Sequence, residues 1–287
     1  MEQLGQFLVA GSTLGAVYAV VALGFTIVFN VTGIINFAQG EFVMLGGMLG
    51  FWLYTGAGLP LLLAFVLAAI LTTLVGLALD RFAIRPARNA PVLSLIILTI
   101  GASIFIRGLA GQLWGKNAVS VPAFSGEAPL YLGTVTVMPQ TLWVLGTTVV
   151  MMLLLHLLLS YTMLGKALRA CALNRRAAAL VGIDAQLMSA VSFALSAALG
   201  AAGGIVVAPL ALPSYDVGTM LGVKGFAAAA IGGFGSQLGA VAGGLALGLL
   251  ESLGAGYISS SYKDAIALGA LFLALFVKAR RSTEAGE

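Results

Sequence analysis

One cysteine, one histidine and ten acidic residues are all that this 287-residue chain offers for most enzymatic chemistry. The lone Cys171 has no partner for an internal disulfide, and it lies on what reads as the reducing side of a membrane. With His156 alone, no metal-ligand spacing and no nucleophile–base pair can be assembled. The nearest thing to a phosphate loop is GQLWGKN at Gly111–Asn117. It is one residue short of GxxxxGKS/T and ends in Asn, so it is chance. No ATP site and no cofactor are expected, and the chain is not an enzyme by itself. Charge is scarce as well, at 8% against about 25% in soluble domains. Lys and Arg are missing from the first eighty residues, so the basic n-region of a cleavable signal peptide is not expected.

What is there is grease. Hydrophobic residues make up 60% of the chain and the mean hydropathy is +1.08. Spans of about 20 apolar residues cross a bilayer, and the expected fold is all-α and polytopic, with about eight or nine membrane segments. Residues 7–29 form the first, with Gly11 and Gly15 spaced for close helix contact. NVTGIINFAQGE, residues 30–41, is too polar and too rich in Gly and Asn for a lipid-facing helix. The stretch 30–56 therefore reads as a discontinuous helix whose irregular backbone is buried or lines a cavity. Within it, Asn36, Gln39 and Glu41 are candidates either for lining a route or for satisfying freed backbone groups. Further spans are expected at 60–79, opened by Pro60 in the first helical turn where proline is tolerated, and at 92–110, 140–160, 186–208 and 265–277. Arg107 is expected to snorkel to an interface, as are Lys224, Glu251, Lys263 and Asp264 near span ends. For His156, near the end of its span, a structural or interfacial role is expected. Residues 111–139, with Pro122, Pro129 and Pro139, form the longest polar connection and are placed outside.

Ten of the fourteen basic residues fall in three clusters, at 81–88, 166–176 and 278–281. That is the positive-inside pattern, not a nucleic-acid surface. If all three clusters are cytoplasmic, an even number of crossings separates each pair. The glycine-rich stretch 219–254 must then contribute two crossings or none. Two short crossings or a re-entrant pair, broken near Gly232–Gly235, are expected, with the C-terminus inside and the N-terminus outside. Gly235, Gly239 and Gly243 form a four-residue ladder suited to tight helix packing.

The strongest local signal is the polar island Thr162–Asp184, carrying Lys166, Arg169, Arg175 and Arg176. Residues 166–181 suit one short helix, with Leu173, Ala177, Leu180 and Val181 on a shared face. Gly182 is its stop and Asp184 the cap of the following span. An ordinary basic loop is the plain alternative, but so many alanines exceed what orientation requires, and small residues let a helix seat in another protein's groove.

RACALNRRAAALVGI within this island resembles the coupling segment of ABC-transporter permeases, a diverged relative of their cytoplasmic EAA loop. GIINFAQGEFVMLGG (33–47), DRFAIRPAR (80–88), MLGKALRACA (163–172), VKGFAAAAIGGFGSQLGAVAGGLALG (223–248) and SYKDAIALGALF (261–272) narrow the likeness. Together they resemble the branched-chain amino-acid ABC permeases, specifically the shorter of their two membrane subunits, over essentially the whole chain. The resemblance implies one permease domain, 1–287, in the inner membrane of a bacterial cell. It implies a second homologous permease subunit, two cytoplasmic ATPases and a periplasmic binding protein that delivers leucine, isoleucine, valine or a related amino acid. Arg169, Ala170, Ala177, Ala178 and Gly182 would then couple the spans to the ATPases. A urea or amide permease and a self-sufficient carrier or channel are the alternatives, although the spans hold few acids for ion coupling.

Overall fold

The structure, a computed structural model, describes residues 2–133 and 135–284. Side chains at 2, 132 and beyond 276 lie outside the described residues, and with them the third basic cluster, 278–281. Eleven α-helices account for most of what is described: α1 (Glu2–Thr32), α2 (Gln39–Phe51), α3 (Leu61–Leu79), α4 (Val92–Trp114), α5 (Pro139–Tyr161), α6 (Met163–Leu173), α7 (Arg175–Leu180), α8 (Ala185–Ala211), α9 (Val217–Gly232), α10 (Gln237–Tyr257) and α11 (Lys263–Glu284). A two-stranded hairpin, β1 (Leu130–Leu132) with β2 (Val135–Val137), sits in the long connection after α4. The all-α polytopic architecture expected from hydropathy is what the chain adopts. Six helices are long and apolar enough to cross a bilayer, namely α1, α3 with its terminal turn, α4, α5, α8 and α10. The shorter apolar α9 and the 13-residue α2 pack among them, and α11 follows α10.

Glycine decides which helices sit at the centre. A Cβ on Gly15 would lie 2.8 Å from the Leu245 Cα, and one on Gly11 would lie 3.0 Å from that of Leu249. α1 and α10 therefore touch backbone to backbone, the close approach that small residues permit in lipid. Gly46 and Gly204 do the same for α2 against α8. α1 and α8 are consequently buried inside the bundle, whereas α3, α4 and α5 turn most of their surface outward. In a bilayer an outward Leu, Ile or Phe costs nothing, because lipid is as apolar as the core.

The bundle has two distinct ends. At one, α1 finishes beside the turn joining α9 to α10, where the Asn30 side-chain amide donates to the Gly235 carbonyl at 3.2 Å. The ends of α1 and α3, the start of α8, and α7 converge there on a cavity of about 60 Å³ lined by Thr32, Asp80, Arg85, Arg88, Arg175 and Ser189. The first two basic clusters thus share an end. At the other end Gln6 bonds the β2 backbone at Thr136 in both directions, at 3.0 and 3.2 Å, and Phe7 stacks edge-on against Tyr257 at 5.4 Å. The start of the chain lies opposite the basic clusters.

Three expectations need correcting. The glycine ladder is not one helical stripe: Gly239 and Gly243 pack α10 onto α9, but Gly235 lies in the turn with φ +108°. A left-handed backbone there reverses the chain in four residues, which a Cβ would strain. The island is not one helix, because Asn174 divides it at φ −156° and ψ 103°. Nor do Lys224 and Glu251 snorkel: both are buried and paired with each other inside the fold.

Candidate functional site

Two places carry the chemistry that apolar spans cannot. The first is the island. α5 turns into α6 so tightly that a Cβ on Gly165 would overlap the Leu158 carbonyl, and the Thr162 hydroxyl caps the new helix by accepting from Gly165 N at 3.0 Å. Leu168, Cys171 and Ala178 face the bundle and pack with Val31 of α1 and Met188 of α8. Burial pushes the Cys171 thiol above its ordinary pKa; Arg175 opposes this and Asp184 adds to it.

Asn174 ends α6 and starts α7 in one step. Its side-chain oxygen accepts from Arg176 N and Ala177 N, both at 3.0 Å. Such a cap satisfies two of the donors a helix start leaves open. Gly182, at φ +87°, stops α7, and Asp184 caps α8 through Gln186 N at 2.8 Å and Leu187 N at 3.2 Å. The outward face is apolar, with Leu173 and Leu180 each 89% exposed and Val181 76%. Among the expected coupling residues, Arg169, Ala177 and Gly182 are exposed, Ala170 is half-buried and Ala178 faces inward.

The second place is the break between α1 and α2. The chain leaves α1 at the basic end and returns through residues 33–38 to begin α2 deep in the bundle. The Gln39 side chain lies against Gly24, about two turns back from the end of α1. Phe37 anchors the return against Phe25 and Phe226, with ring centroids 6.3 and 5.5 Å away. Asn36 satisfies a backbone group that the break sets free, whereas Gln39 ties the break to α8. The Asn36 side-chain oxygen accepts from Ala38 N at 3.2 Å. Gln39 donates to the Ser196 carbonyl at 3.2 Å and accepts from the Ser196 hydroxyl, which also reaches the Gly24 carbonyl.

Glu41 differs. It is fully buried, its Oε1 accepts from Ser103 at 2.8 Å and from Thr219 at 3.4 Å, and its Oε2 has no hydrogen-bond partner. Arg107, one turn beyond Ser103 on α4, donates to the Thr219 hydroxyl at 2.6 Å. The break therefore brings Asn36, Gln39 and Glu41 to one level of the bundle, where the Asn36 amide nitrogen and the Glu41 Oε2 are left without a hydrogen-bond partner.

Two further polar groups escaped sequence reasoning. Lys224 of α9 donates to Glu251 of α10 at 2.7 Å and lies 2.7 Å from Asp264 of α11, the latter an ion pair without hydrogen-bond alignment. Tyr18 of α1 donates to the other Glu251 oxygen at 2.8 Å. One lysine and one glutamate in mid-span, of opposite sign, were the signal available, since buried charges in membranes pair or act. Asp80, buried where α3 ends, accepts from Ser189 of α8 at 2.6 Å, with Arg85 3.6 Å away.

Residues 7–275 match the family described as "Branched-chain amino acid transport system / permease component". The chain belongs to this family. It is 34% identical to the high-affinity branched-chain amino acid transport system permease protein LivH of Escherichia coli (strain K12), over 93% of this chain and 91% of that one. To the corresponding BraD protein of Pseudomonas aeruginosa it is 33% identical, over 95% and 93%. Among solved structures, PsaBC from Streptococcus pneumoniae, in complex with Fab, shares the fold at a TM-score of 0.51 and 12% identity, over 94% of this chain and 91% of that one. Family membership places the permease as a multi-pass membrane protein.

Proposed function

We propose that this permease forms, with a second homologous subunit, the translocation pathway of an ATP-driven importer for leucine, isoleucine, valine or a related amino acid. Two separate ATPases dock beneath it and a periplasmic binding protein delivers the substrate. The basic end is cytoplasmic and the hairpin end, with the start of the chain and the loop 111–139, is external, in keeping with the positive-inside rule. All of residues 1–287 serve as one permease domain without catalysis of its own, and the island 162–184 is the part the ATPases touch.

The observation that carries this reading is the outward apolar face of α6 and α7. Leu173, Leu180 and Val181 stand exposed at the basic end of the bundle. An exposed apolar patch on a short, capped helix pair marks a docking surface. Arg169, Ala177 and Gly182 lie on it, while Ala170 and Ala178 carry its motion inward to Val31 and Met188. Closure of the ATPases on ATP biases a two-state bundle from below.

The test is ATP-dependent leucine uptake by the full complex in proteoliposomes, compared with the chain alone. The chain alone transports nothing under this reading, and Leu180→Asp or Asn174→Ala separates ATP hydrolysis from uptake. Ion-gradient-driven uptake by the isolated chain, or full uptake with both substitutions, overturns it.

A further inference from the structure

The pair Glu41 and Arg107 holds opposite charges near one another without joining them. Both reach the same hydroxyl, that of Thr219, and among the described residues no ion pair within 4.0 Å links the two. An acid and a guanidinium free to meet in a low-dielectric setting normally form a bidentate pair. Here Ser103 and Thr219 occupy Oε1, and Oε2 is left bare at a fully buried residue. Leaving a buried acceptor unmade is unfavourable and asks for a donor.

The backbone around it is built for close approach. A Cβ on Gly218 would lie 2.5 Å from Oε2, and one on Gly40 would overlap the Gly218 carbonyl. Only glycine lets the first turn of α9 close over the carboxyl group. Arg107 is seven residues short of the end of α4, about 10 Å along the axis. The site therefore lies in the half of the bundle nearest the hairpin end, just inside the mouth formed by α4 and the start of α9. Thr219 and Asp216 are exposed there, whereas the large groove of about 970 Å³ between α3 and α5 is walled by Leu, Phe and Trp and offers no such pair.

We propose that Glu41 and Arg107 form a head-group site for an α-amino acid, with Oε2 of Glu41 taking the ammonium and the Arg107 guanidinium taking the carboxylate. The Thr219 hydroxyl bridges the two when the site is closed. An ammonium brings three donors and no acceptor, which is what Oε2 lacks. A guanidinium has a planar fork matched to a carboxylate, and a single hydroxyl does not use it fully. The site reads the part common to all α-amino acids and is indifferent to the side chain. This inference rests on the importer reading, because only a chain that carries amino acids has use for such a site.

Thr219→Cys in a Cys171→Ser background, in the full complex, makes the site reportable through its rate of reaction with methyl methanethiosulfonate. Saturating L-leucine is expected to slow labelling about tenfold, as filling roughly nine-tenths of the sites does. Isoamylamine, which lacks the carboxylate, and isocaproate, which lacks the ammonium, leave the rate unchanged. Glu41→Gln and Arg107→Met, each added to the reporter, abolish protection by leucine. Equal protection by all three compounds, no protection by leucine, or protection that survives both substitutions overturns the site. If either substitution prevents assembly, the comparison of the three compounds on the reporter alone still decides. ATP-driven leucine uptake by the unaltered complex is read separately. Its absence overturns the importer reading, while the labelling pattern continues to decide the site.

Discussion

Removing Lys224 tests whether the bundle is locked by charge as well as by glycine packing. Its ammonium is 2.7 Å from both Glu251 and Asp264, and the side chains of Lys224 and Glu251 are only 10% and 3% exposed. Lys224→Met keeps the volume and strips the charge. It leaves Glu251 buried with the Tyr18 hydroxyl as its remaining partner, whereas Asp264, 41% exposed, can turn to water. Breaking a buried pair from one side costs about 3–5 kcal/mol, because an uncompensated charge remains. At about 2–4 °C per kcal/mol for a chain of this size, the melting temperature in detergent should fall on the order of 10 °C. The double variant Lys224→Met/Glu251→Gln removes the stranded charge and should recover much of that loss, with a coupling energy of about 1–3 kcal/mol. Thermal denaturation followed by size-exclusion chromatography reads all three proteins. A Lys224→Met permease that melts with the unaltered one, or a double variant with simply additive loss, would refute the lock.

Gly40→Ala should abolish assembly or cost about 1–3 kcal/mol, since its Cβ would collide with the Gly218 backbone, which cannot swing aside as a side chain can. Gly101→Ala, whose Cβ would meet open space, should be neutral in the same thermal assay. Cys171 should react slowly with maleimide at neutral pH. Burial raises its thiol pKa, so less thiolate is present than in an exposed cysteine, and labelling should quicken as pH rises or as the island is unfolded by denaturant. Rapid labelling of the folded permease at pH 7 would show that α6 is not seated on the bundle.

Much of the fold was legible because the membrane imposes two coarse rules, apolar length and basic sidedness. The apolar spans, the break within 30–41, the caps at Gly182 and Asp184 and the turn near Gly232–Gly235 each follow from local composition. The pairings were not legible. Arg107 read as snorkelling because a lone charge near a span end gives no hint of a partner far along the chain, and the opposite signs of Lys224 and Glu251 did not reveal that their helices pack face to face. Thr219 meets Arg107 only after α4 and α9 come together, and Glu251 meets Tyr18 only because Gly11, Gly15 and Gly248 draw α10 against α1. Asn174 was hidden differently. Leu173 and Ala177 keep a helical period across it, but its side chain outbids the continuing helix by capping the next one.

By itself, then, the sequence determined that this chain lives in a bilayer and which end is basic, since these depend on composition and local spacing. Its likeness to the branched-chain permeases added a family. The tertiary structure alone decided which of Asn36, Gln39 and Glu41 keeps a free oxygen, and which apolar residues of the island face outward. Those are questions of contact between segments as far apart in the chain as Glu41 and Thr219, and contact is set by how closely glycine lets backbones approach.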